Sequence, residues 1–376
     1  MKKLATLLLS LALLVLQVST VLATVDPLSV PNNIFGIHLM DENDLTDAAS
    51  LVNSNGGDWG YVTIVIREDE RDTARWNRAF DRMQQLHLIP LVRITTTMTE
   101  DGWTKGDTSE IILWKAFLNS LNWPTQNRYV IIGNEPNHAT EWHSEISPEE
   151  YSDYLVMFSR TLKYADDRYF ILPAGLDASA PSDKNHMDEV TFINRMYNHN
   201  PAVFDSIDGW NSHSYPNPGF MGSPTDSGRK SIKTYEWELE VLSNLGVEKS
   251  LPVFITETGW VHTTSEDTQY LDPETVSDYL QTAFTTVWTD ERIVAVTPFM
   301  LTYPGKPFLQ FAWRDETGEF LSFYYTVQEL PKTKGDPVMV QKLESKETPV
   351  PQNDLLAHID RYKKIVSVAN ATYWVS

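Results

Sequence analysis

The chain has 376 residues, of which 41% are hydrophobic and 11% aromatic, so it carries enough apolar material for a substantial core and too much for a disordered protein. Its formal net charge of −21 argues against nucleic acid or anionic lipid as a partner, because an acidic surface repels both. Cysteine is absent, which excludes disulfide bonds and thiolate metal sites.

The first 23 residues have the pattern of a secretory signal peptide. A basic "MKK" precedes an apolar run, and small residues follow it, with Ala23 as the last residue removed. An uncleaved membrane anchor is the less favoured alternative, because Gln17, Ser19 and Thr20 interrupt the apolar run too early for a good span. We therefore expect a protein that is secreted or held in the cell envelope, with no membrane attachment once residues 1–23 are removed.

Eight short apolar runs rich in β-formers follow in chain order, with helical patterns between them. Most are continuous, as in strands that are covered on both faces. The predicted strands are residues 33–39, 61–67, 88–94, 129–134, 169–176, 207–213, 252–258 and 293–301. Eight strand–helix units over about 280 residues predict an α/β fold, a (β/α)8 TIM barrel.

Two of the intervening helices have clear start signals. Ser147 is placed to cap a helix that has Pro148 at its first position, and Asp272 with Pro273 repeats this pattern later in the chain. Since no long linker rich in Ser, Gly or Pro divides the chain, residues 24–345 are predicted to form one catalytic domain.

The region after the eighth run differs from the barrel pattern. "FLQFAWRDETGEFLSFYY" is interpreted as a hairpin or loop with "DETG" as its turn, and a polar, irregular segment follows it. The alternating "IVSVANATYWV" lies in the tail, residues 346–376, and is consistent with one extra C-terminal strand packed outside the barrel.

The active site of such a barrel lies at the C-terminal ends of its strands. The predicted strand ends carry polar residues: His38, Arg67, Arg93, Asn134, Glu135, Asp177, His213, Tyr215 and Glu257. Glu135 and Glu257 would therefore project into one mouth although they are 122 residues apart. Two carboxyls about 5–5.5 Å apart are what retaining glycoside hydrolysis requires, one to protonate the leaving oxygen and one to attack the anomeric carbon.

The motifs "GNEPN" (133–137) and "ITETGW" (255–260) resemble those of the clan A retaining glycoside hydrolases, which carry Asn-Glu-Pro after strand 4 and a glutamate at the end of strand 7. The resemblance covers residues 33–330. It implies that Glu135 is the acid/base and Glu257 the nucleophile. It also implies that Asn134 hydrogen-bonds the sugar 2-hydroxyl and that Arg67 braces the nucleophile.

The same resemblance gives His213 and Tyr215 the strand 6 position near the nucleophile, and His38 is a further candidate for substrate binding. Trp260 and Trp313 are candidates for stacking on a sugar ring, with packing in the core as the alternative.

The end of strand 8 departs from the family pattern. Many clan members have a tryptophan there, whereas this chain reads "PFMLTYPG", so Phe299 or Tyr303 takes that place unless Trp313 reaches in from the next loop. "NEPN" resembles family 39 and the spaced Trp, Asp, Gly and Tyr after strand 8 resemble family 5, so the clan is assigned without a family.

These patterns predict a secreted, monomeric retaining O-glycoside hydrolase that acts on an oligo- or polysaccharide without a cofactor. A metal centre is not expected, because no HExxH or similar ligand spacing occurs. Two alternatives stay open: a catalytically inactive barrel that binds carbohydrate, and a transglycosylase with the same catalytic residues.

Overall fold

The computed structural model describes residues 23–263, 269–303, 305 and 307–340. The predictions for residues 1–22 of the signal peptide and for the tail with its extra strand lie outside the described residues. Within the described part, no helix is long and apolar enough to cross a membrane.

Eight strands of the described chain form the barrel wall, one for each predicted run. They are β1 (Gly36–Leu39), β2 (Gly60–Arg67), β3 (Leu88–Thr95), β4 (Arg128–Ile132), β5 (Tyr169–Pro173), β6 (Trp210–His213), β7 (Val253–Glu257) and β8 (Ile293–Val296). The prediction of a (β/α)8 barrel is confirmed.

All neighbouring barrel strands pair in parallel. Five strands are hydrogen-bonded in the order β1–β2–β3–β4–β5, and three in the order β8–β7–β6. Isolated parallel bridges join the two sheets, Phe35 with Val296 on one side and Asp177 with His213 on the other. These bridges close the barrel and bring the C-terminal ends of the strands to one mouth.

A helix follows each strand. The helices are α1 (Leu45–Val52), α2 (Thr73–Gln85), α3 (Ile111–Asn119), α4 (Pro148–Ala165), α5 (Glu189–His199), α6 (Thr234–Asn244), α7 (Pro273–Thr282) and α8 (Ser322–Glu329). The predicted start signals are confirmed, since the Ser147 side chain accepts a hydrogen bond from the Glu150 N–H and that of Asp272 from the Thr275 N–H.

Side chains alternate between two apolar layers along the strands. Tyr61 belongs to the cluster that fills the barrel, while its neighbour Val62 packs in the outer cluster that the helices share. Ile89 and Leu91 in β3 also fill the barrel, so Arg93 is the next inward position. The interior thus changes from apolar to polar towards the C-terminal ends of the strands, which places polar side chains at the mouth of the barrel.

The segment after β8 is partly as predicted. Arg314 pairs antiparallel with Phe320 around the predicted "DETG" turn, where the Gly318 N–H donates to the Asp315 carbonyl. The prediction of a hairpin or loop is wrong for the following "SFYY". These residues begin α8, where Phe323 and Tyr324 are buried against the barrel core.

Candidate active site

Glu257 is the last residue of β7, and four side chains surround its carboxylate. Arg93 Nη1 donates a hydrogen bond to one oxygen, and the Tyr215 hydroxyl donates to the other at 3.1 Å. His38 Nε2 and His213 Nδ1 each lie 3.8 Å from a carboxylate oxygen. Glu257 is only 7% exposed, so these contacts replace most of its hydration.

Glu135 lies in the turn after β4, which has an unusual backbone. Gly133 has φ of +89° and Glu135 has φ of +28°, and the second value costs a residue with a side chain about 1–3 kcal/mol. Two backbone bonds fix the turn, from the Glu135 N–H to Gly175 O (3.1 Å) and from the His138 N–H to Glu135 O (2.8 Å). This backbone directs the carboxyl to His213 Nδ1, which is 2.9 Å away.

The two glutamates meet at His213, the last residue of β6. Carboxyl oxygens of Glu135 and Glu257 and a ring nitrogen of His213 all lie within 4.8 Å of one another. Inverting glycosidases need about 6.5–9.5 Å between their carboxyls to admit a water, whereas retaining ones need about 5–5.5 Å. The observed spacing fits the retaining geometry.

The surrounding charges set which groups carry protons. Burial opposes the ionisation of Glu257, but His213 and Arg93 outweigh it and lower its pKa to about 2. Burial opposes protonation of His213, yet Glu257 and Glu135 raise its pKa. Burial and then Glu257 raise the pKa of Tyr215 well above its ordinary value, so its hydroxyl remains a donor. Glu257 is therefore an ionised carboxylate held by donors.

His38, at the third position of β1, is fully buried beside this group. Burial and then Arg93 lower its pKa to about 3, so the ring is neutral at ordinary pH. Its ring packs edge-on against Phe299 at 5.0 Å. Since none of the side chain is exposed, the position favours support of Glu257 over direct contact with a sugar.

Asn134, which precedes Glu135 in the turn after β4, also contacts Arg93. Its side-chain oxygen accepts a hydrogen bond from Arg93 Nη1 at 2.8 Å. The side-chain amide next to Glu135 is therefore held by the same guanidinium that bonds Glu257.

A divalent cation could also use this cluster, because Glu135, His213 and Glu257 each offer one ligand atom within the same 4.8 Å. The surroundings disfavour it. Arg93 and Tyr215 already donate to the Glu257 carboxylate, and the guanidinium places a positive charge where a cation would lie. The arrangement suits proton transfer and nucleophilic attack better than metal binding.

No protein-family model and no curated protein matches the chain. Solved structures do match it. A monomeric β-xylosidase from Caulobacter crescentus CB15 is 12% identical with a TM-score of 0.54, over 80% of this chain and 68% of that one. A family 39 glycoside hydrolase from Bacteroides cellulosilyticus WH2 is 15% identical with a TM-score of 0.54, over 82% and 65%. A GH128 (subgroup II) endo-β-1,3-glucanase from Sorangium cellulosum is 12% identical with a TM-score of 0.51, over 80% and 98%.

The fold is shared with glycoside hydrolases. The resemblance read from the motifs is thereby confirmed at the level of the fold. This chain spans about two thirds of the first two structures and nearly all of the third, and the low identities leave its activity to be argued from its own residues.

The prediction that Arg67 braces Glu257 is wrong. Arg67 ends β2, and the chain then turns so that its guanidinium bonds Asp69 at 3.0 Å and pairs with Glu70 at 3.3 Å. Its side chain is 38% exposed. Arg93, one strand further on, holds the carboxylate instead.

The sugar-stacking prediction for the two tryptophans is also wrong. Trp260 is 2% exposed, donates its indole N–H to Gly222 O at 2.8 Å, and packs 5.6 Å from the Tyr279 ring. Trp313 is 3% exposed and packs 5.2 Å from Phe323. Both belong to the core, which was the stated alternative, because the loops that carry them fold back onto the helices.

Phe299, one of the two aromatic residues predicted for the end of strand 8, lies three residues after β8. It contacts His38 and lies 5.3 Å from Phe308, whose ring is 38% exposed. Tyr303 packs on the same ring at 5.4 Å. An aromatic wall of Phe299, Tyr303 and Phe308 therefore begins beside the group that holds Glu257.

Proposed function

We propose that this protein is a retaining glycoside hydrolase that cleaves O-glycosidic bonds of an oligo- or polysaccharide by double displacement. The observation that carries the proposal is the spacing of Glu135 and Glu257, whose carboxyl oxygens and the His213 nitrogen lie within 4.8 Å of one another at the mouth of the barrel. The fold shared with glycoside hydrolases supports it.

Glu257 is the nucleophile. Its lowered pKa keeps it ionised, and the bonds from Arg93 and Tyr215 fix its orientation. In the first step one of its oxygens bonds to the anomeric carbon while the bond from that carbon to the leaving oxygen breaks. Glu135 gives its proton to the leaving oxygen, which departs as an alcohol.

Glu135 then acts as the base. Its side chain is 21% exposed and that of Glu257 is 10% exposed, so an incoming water reaches Glu135 more readily. Glu135 takes a proton from the water as its oxygen bonds to the anomeric carbon. The ester bond to Glu257 breaks, both carboxyls return to their starting states, and the configuration of the sugar is retained.

Replacement of each glutamate tests these roles. We expect Glu257→Ala to lower kcat on an activated aryl glycoside by at least about 10⁴-fold. Azide should restore turnover to this variant with a glycosyl azide of inverted configuration as product, because the small anion fills the space of the lost carboxylate. Azide with Glu135→Ala should instead give a glycosyl azide of retained configuration. The exposed Glu274→Ala in α7 is the control and should keep full activity.

A fully folded Glu257→Ala protein that retains activity, or azide products of the reverse configuration, would overturn the assignment. A wild-type protein that binds glycans without turnover would point to the carbohydrate-binding alternative. Glycosyl transfer to added sugars in preference to water would point to the transglycosylase.

We further infer export and a monomeric state. The pattern of residues 1–23 supports export, and N-terminal sequencing of protein from the culture medium or envelope should find Thr24 first. The molecular mass in light scattering should equal that of one chain.

A further inference from the structure

A patch of phenylalanine rings lies on the loops after β6 and β8, next to the group that holds Glu257. Phe311 is 7% exposed and forms the centre of the patch, with its ring 5.2 Å from that of Phe220 and 5.8 Å from that of Phe299. The Phe299 ring in turn contacts that of Phe308 at 5.3 Å. The two outer rings are open to solvent, since Phe220 is 36% exposed and Phe308 is 38% exposed. We call Phe220 and Phe308 the phenyl shelf.

The phenyl shelf is continuous with the candidate active site at both ends. The ring of Tyr215, whose hydroxyl donates to Glu257, packs 5.1 Å from Phe220. At the other end, Phe299 packs on His38 at 5.0 Å, and His38 lies beside the same carboxylate. A group attached to a sugar at Glu257 is therefore within reach of the exposed rings.

The backbone of Phe220 is unusual for a bulky residue. Its φ is +59°, directly after Gly219 at +65°. A bulky side chain disfavours this left-handed conformation, which persists only where the surrounding structure fixes it. Here the Val261 N–H donates to Phe220 O at 3.2 Å, and the Asn217 side chain accepts a bond from the Phe220 N–H at 3.4 Å. Strain of this kind is concentrated at ligand sites, and a partly exposed ring held in this way is placed to contact a ligand.

The chemistry of the shelf favours a hydrocarbon ligand. Phenyl rings offer no hydrogen-bond donor or acceptor, and Val261 and Met300, which are buried in the same cluster, are also apolar. The Tyr215 hydroxyl, between the shelf and the site, already donates to Glu257. A second sugar ring would leave hydroxyl groups unpaired against such a surface, whereas an alkyl or aryl group needs no partner.

We propose that the phenyl shelf binds an apolar aglycone, so that the substrate is a sugar or oligosaccharide joined to an alkyl or aryl group. The sugar ring lies between Glu135 and Glu257, and the hydrocarbon is removed from water against Phe220 and Phe308. The net charge of −21 repels anionic groups, so the aglycone carries no negative charge. This inference rests on the proposed glycosidase function and narrows its substrates.

Glycosides with alkyl aglycones of increasing length test the shelf. The sugar that the wild type releases fastest would be prepared as its methyl, butyl and octyl glycosides. These alcohols are similarly poor leaving groups, so a difference in rate reports binding of the chain. We expect kcat/KM of the wild type to rise by about 10- to 100-fold from methyl to octyl, because each fully buried methylene strengthens binding about fourfold. Phe220→Asn and Phe308→Ala should each lower the octyl value by at least about tenfold and stay within about threefold on the methyl glycoside.

Matched variants separate the ring from the turn that carries it. Asparagine adopts a positive φ more readily than other residues with side chains, so a loss in Phe220→Asn reports the missing ring and not a collapsed turn. Tyr164→Ala removes a ring that is 85% exposed near the C-terminal end of α4, and it should match the wild type on every glycoside. An equal loss on methyl and octyl glycosides, or a wild-type rate that does not depend on chain length, would overturn the shelf and leave the glycosidase proposal intact.

Two further substrates identify the kind of hydrocarbon. A benzyl glycoside cleaved faster than the hexyl glycoside would assign an aryl aglycone, and the reverse order would assign an alkyl chain. If both are cleaved more slowly than a disaccharide of the same sugar, the shelf contacts a second sugar and the hydrocarbon assignment is overturned.

A readout without turnover separates this inference from the proposed function. If the wild type hydrolyses no glycoside, the proposed function fails, and binding is measured by calorimetry with octyl and methyl glycosides of xylose, glucose and mannose, as both anomers and below the micelle concentration. Saturable binding of an octyl but not of the matching methyl glycoside, lost in Phe220→Asn, would support the shelf in a binding protein. No binding of any octyl glycoside, or binding that persists in Phe220→Asn, would overturn the shelf as well.

Discussion

At the residue scale, the site depends on one arginine that bonds both Asn134 and Glu257. Arg93 is 7% exposed, so its replacement leaves a buried carboxylate with a single hydroxyl donor. We expect Arg93→Gln to lower kcat/KM by about 10²- to 10³-fold, the cost of losing one preorganised charged contact. Arg67→Gln, at a superficially similar strand end, should stay within about twofold. Steady-state kinetics of the two purified variants measure the contrast, and the reverse order of effects would contradict the assignment.

The pH dependence gives a second prediction for the same group. A carboxyl whose pKa is lowered stays ionised to lower pH. In the wild type, the apparent pKa of the acid limb of the kcat/KM–pH profile should therefore be lower than the ordinary pKa of a glutamate. In Arg93→Gln the pKa of Glu257 rises, and the acid limb should move up by about one pH unit or more. An unchanged limb in a folded variant would show that another group controls it.

At the element scale, a buried pair of carboxyls lies between two helices behind β6. Glu189 in α5 and Glu238 in α6 are both unexposed, and neither carboxyl oxygen of Glu189 has a hydrogen-bond partner among the described residues. Trp210 Nε1 donates to Glu238 at 2.8 Å. Burial and then mutual repulsion raise the pKa of Glu189 well above its ordinary value, and burial raises that of Glu238. Glu189 therefore keeps its proton above the pH at which an ordinary glutamate loses it.

This pair predicts how stability changes with pH. A carboxyl with a raised pKa binds a proton in the folded protein that the unfolded chain releases, so the free energy of unfolding falls as pH rises above the ordinary value. Glu189→Gln removes one such proton and should flatten the fall by up to about 1.4 kcal/mol per pH unit. Urea unfolding between pH 5 and pH 9 measures it, with the exposed Glu274→Gln as the control. Parallel curves for wild type and Glu189→Gln would refute a proton retained on Glu189 in the folded protein.

The elements themselves were largely predictable, because most barrel strands are continuous apolar runs and the caps at Ser147 and Asp272 are local signals. The α8 helix was missed because "FLSFYY" has the aromatic content of a strand. The predicted brace was Arg67 and the observed one is Arg93, because both residues lie at the end of a strand. Only the alternation of Ile89 and Leu91, which fill the barrel, marks Arg93 as inward.

Other parts of the site depend on contacts that one sequence does not carry. The burial of Trp260 and Trp313 follows from how their loops fold onto α7 and α8, which no local pattern specifies. Glu141 lies only six residues after Glu135, yet its pKa is raised to about 8 by burial and then by the charge of Glu135, which depend on the tertiary fold.

At the scale of the whole molecule, the net charge of −21 predicts a preference for neutral glycans. Long-range repulsion lowers the encounter rate with polyanions and is screened by salt over a Debye length of about 10 Å at 0.1 M. We expect kcat/KM on a neutral glycan to change less than about twofold between 10 mM and 500 mM NaCl. Rates on uronic acid polymers should rise with salt if they are cleaved at all. A faster reaction with such polymers at low salt would contradict this expectation.

The most direct test of the retaining mechanism is to trap its covalent intermediate. The protein would be incubated with activated 2-deoxy-2-fluoro glycosides of xylose, glucose and mannose, followed by mass spectrometry of the intact chain and of its peptides. The account predicts one added glycosyl group, carried by the peptide that contains Glu257 and absent in Glu257→Gln. A label on Glu135 or Glu141, or turnover of these sugars with no label on Glu257, would contradict it.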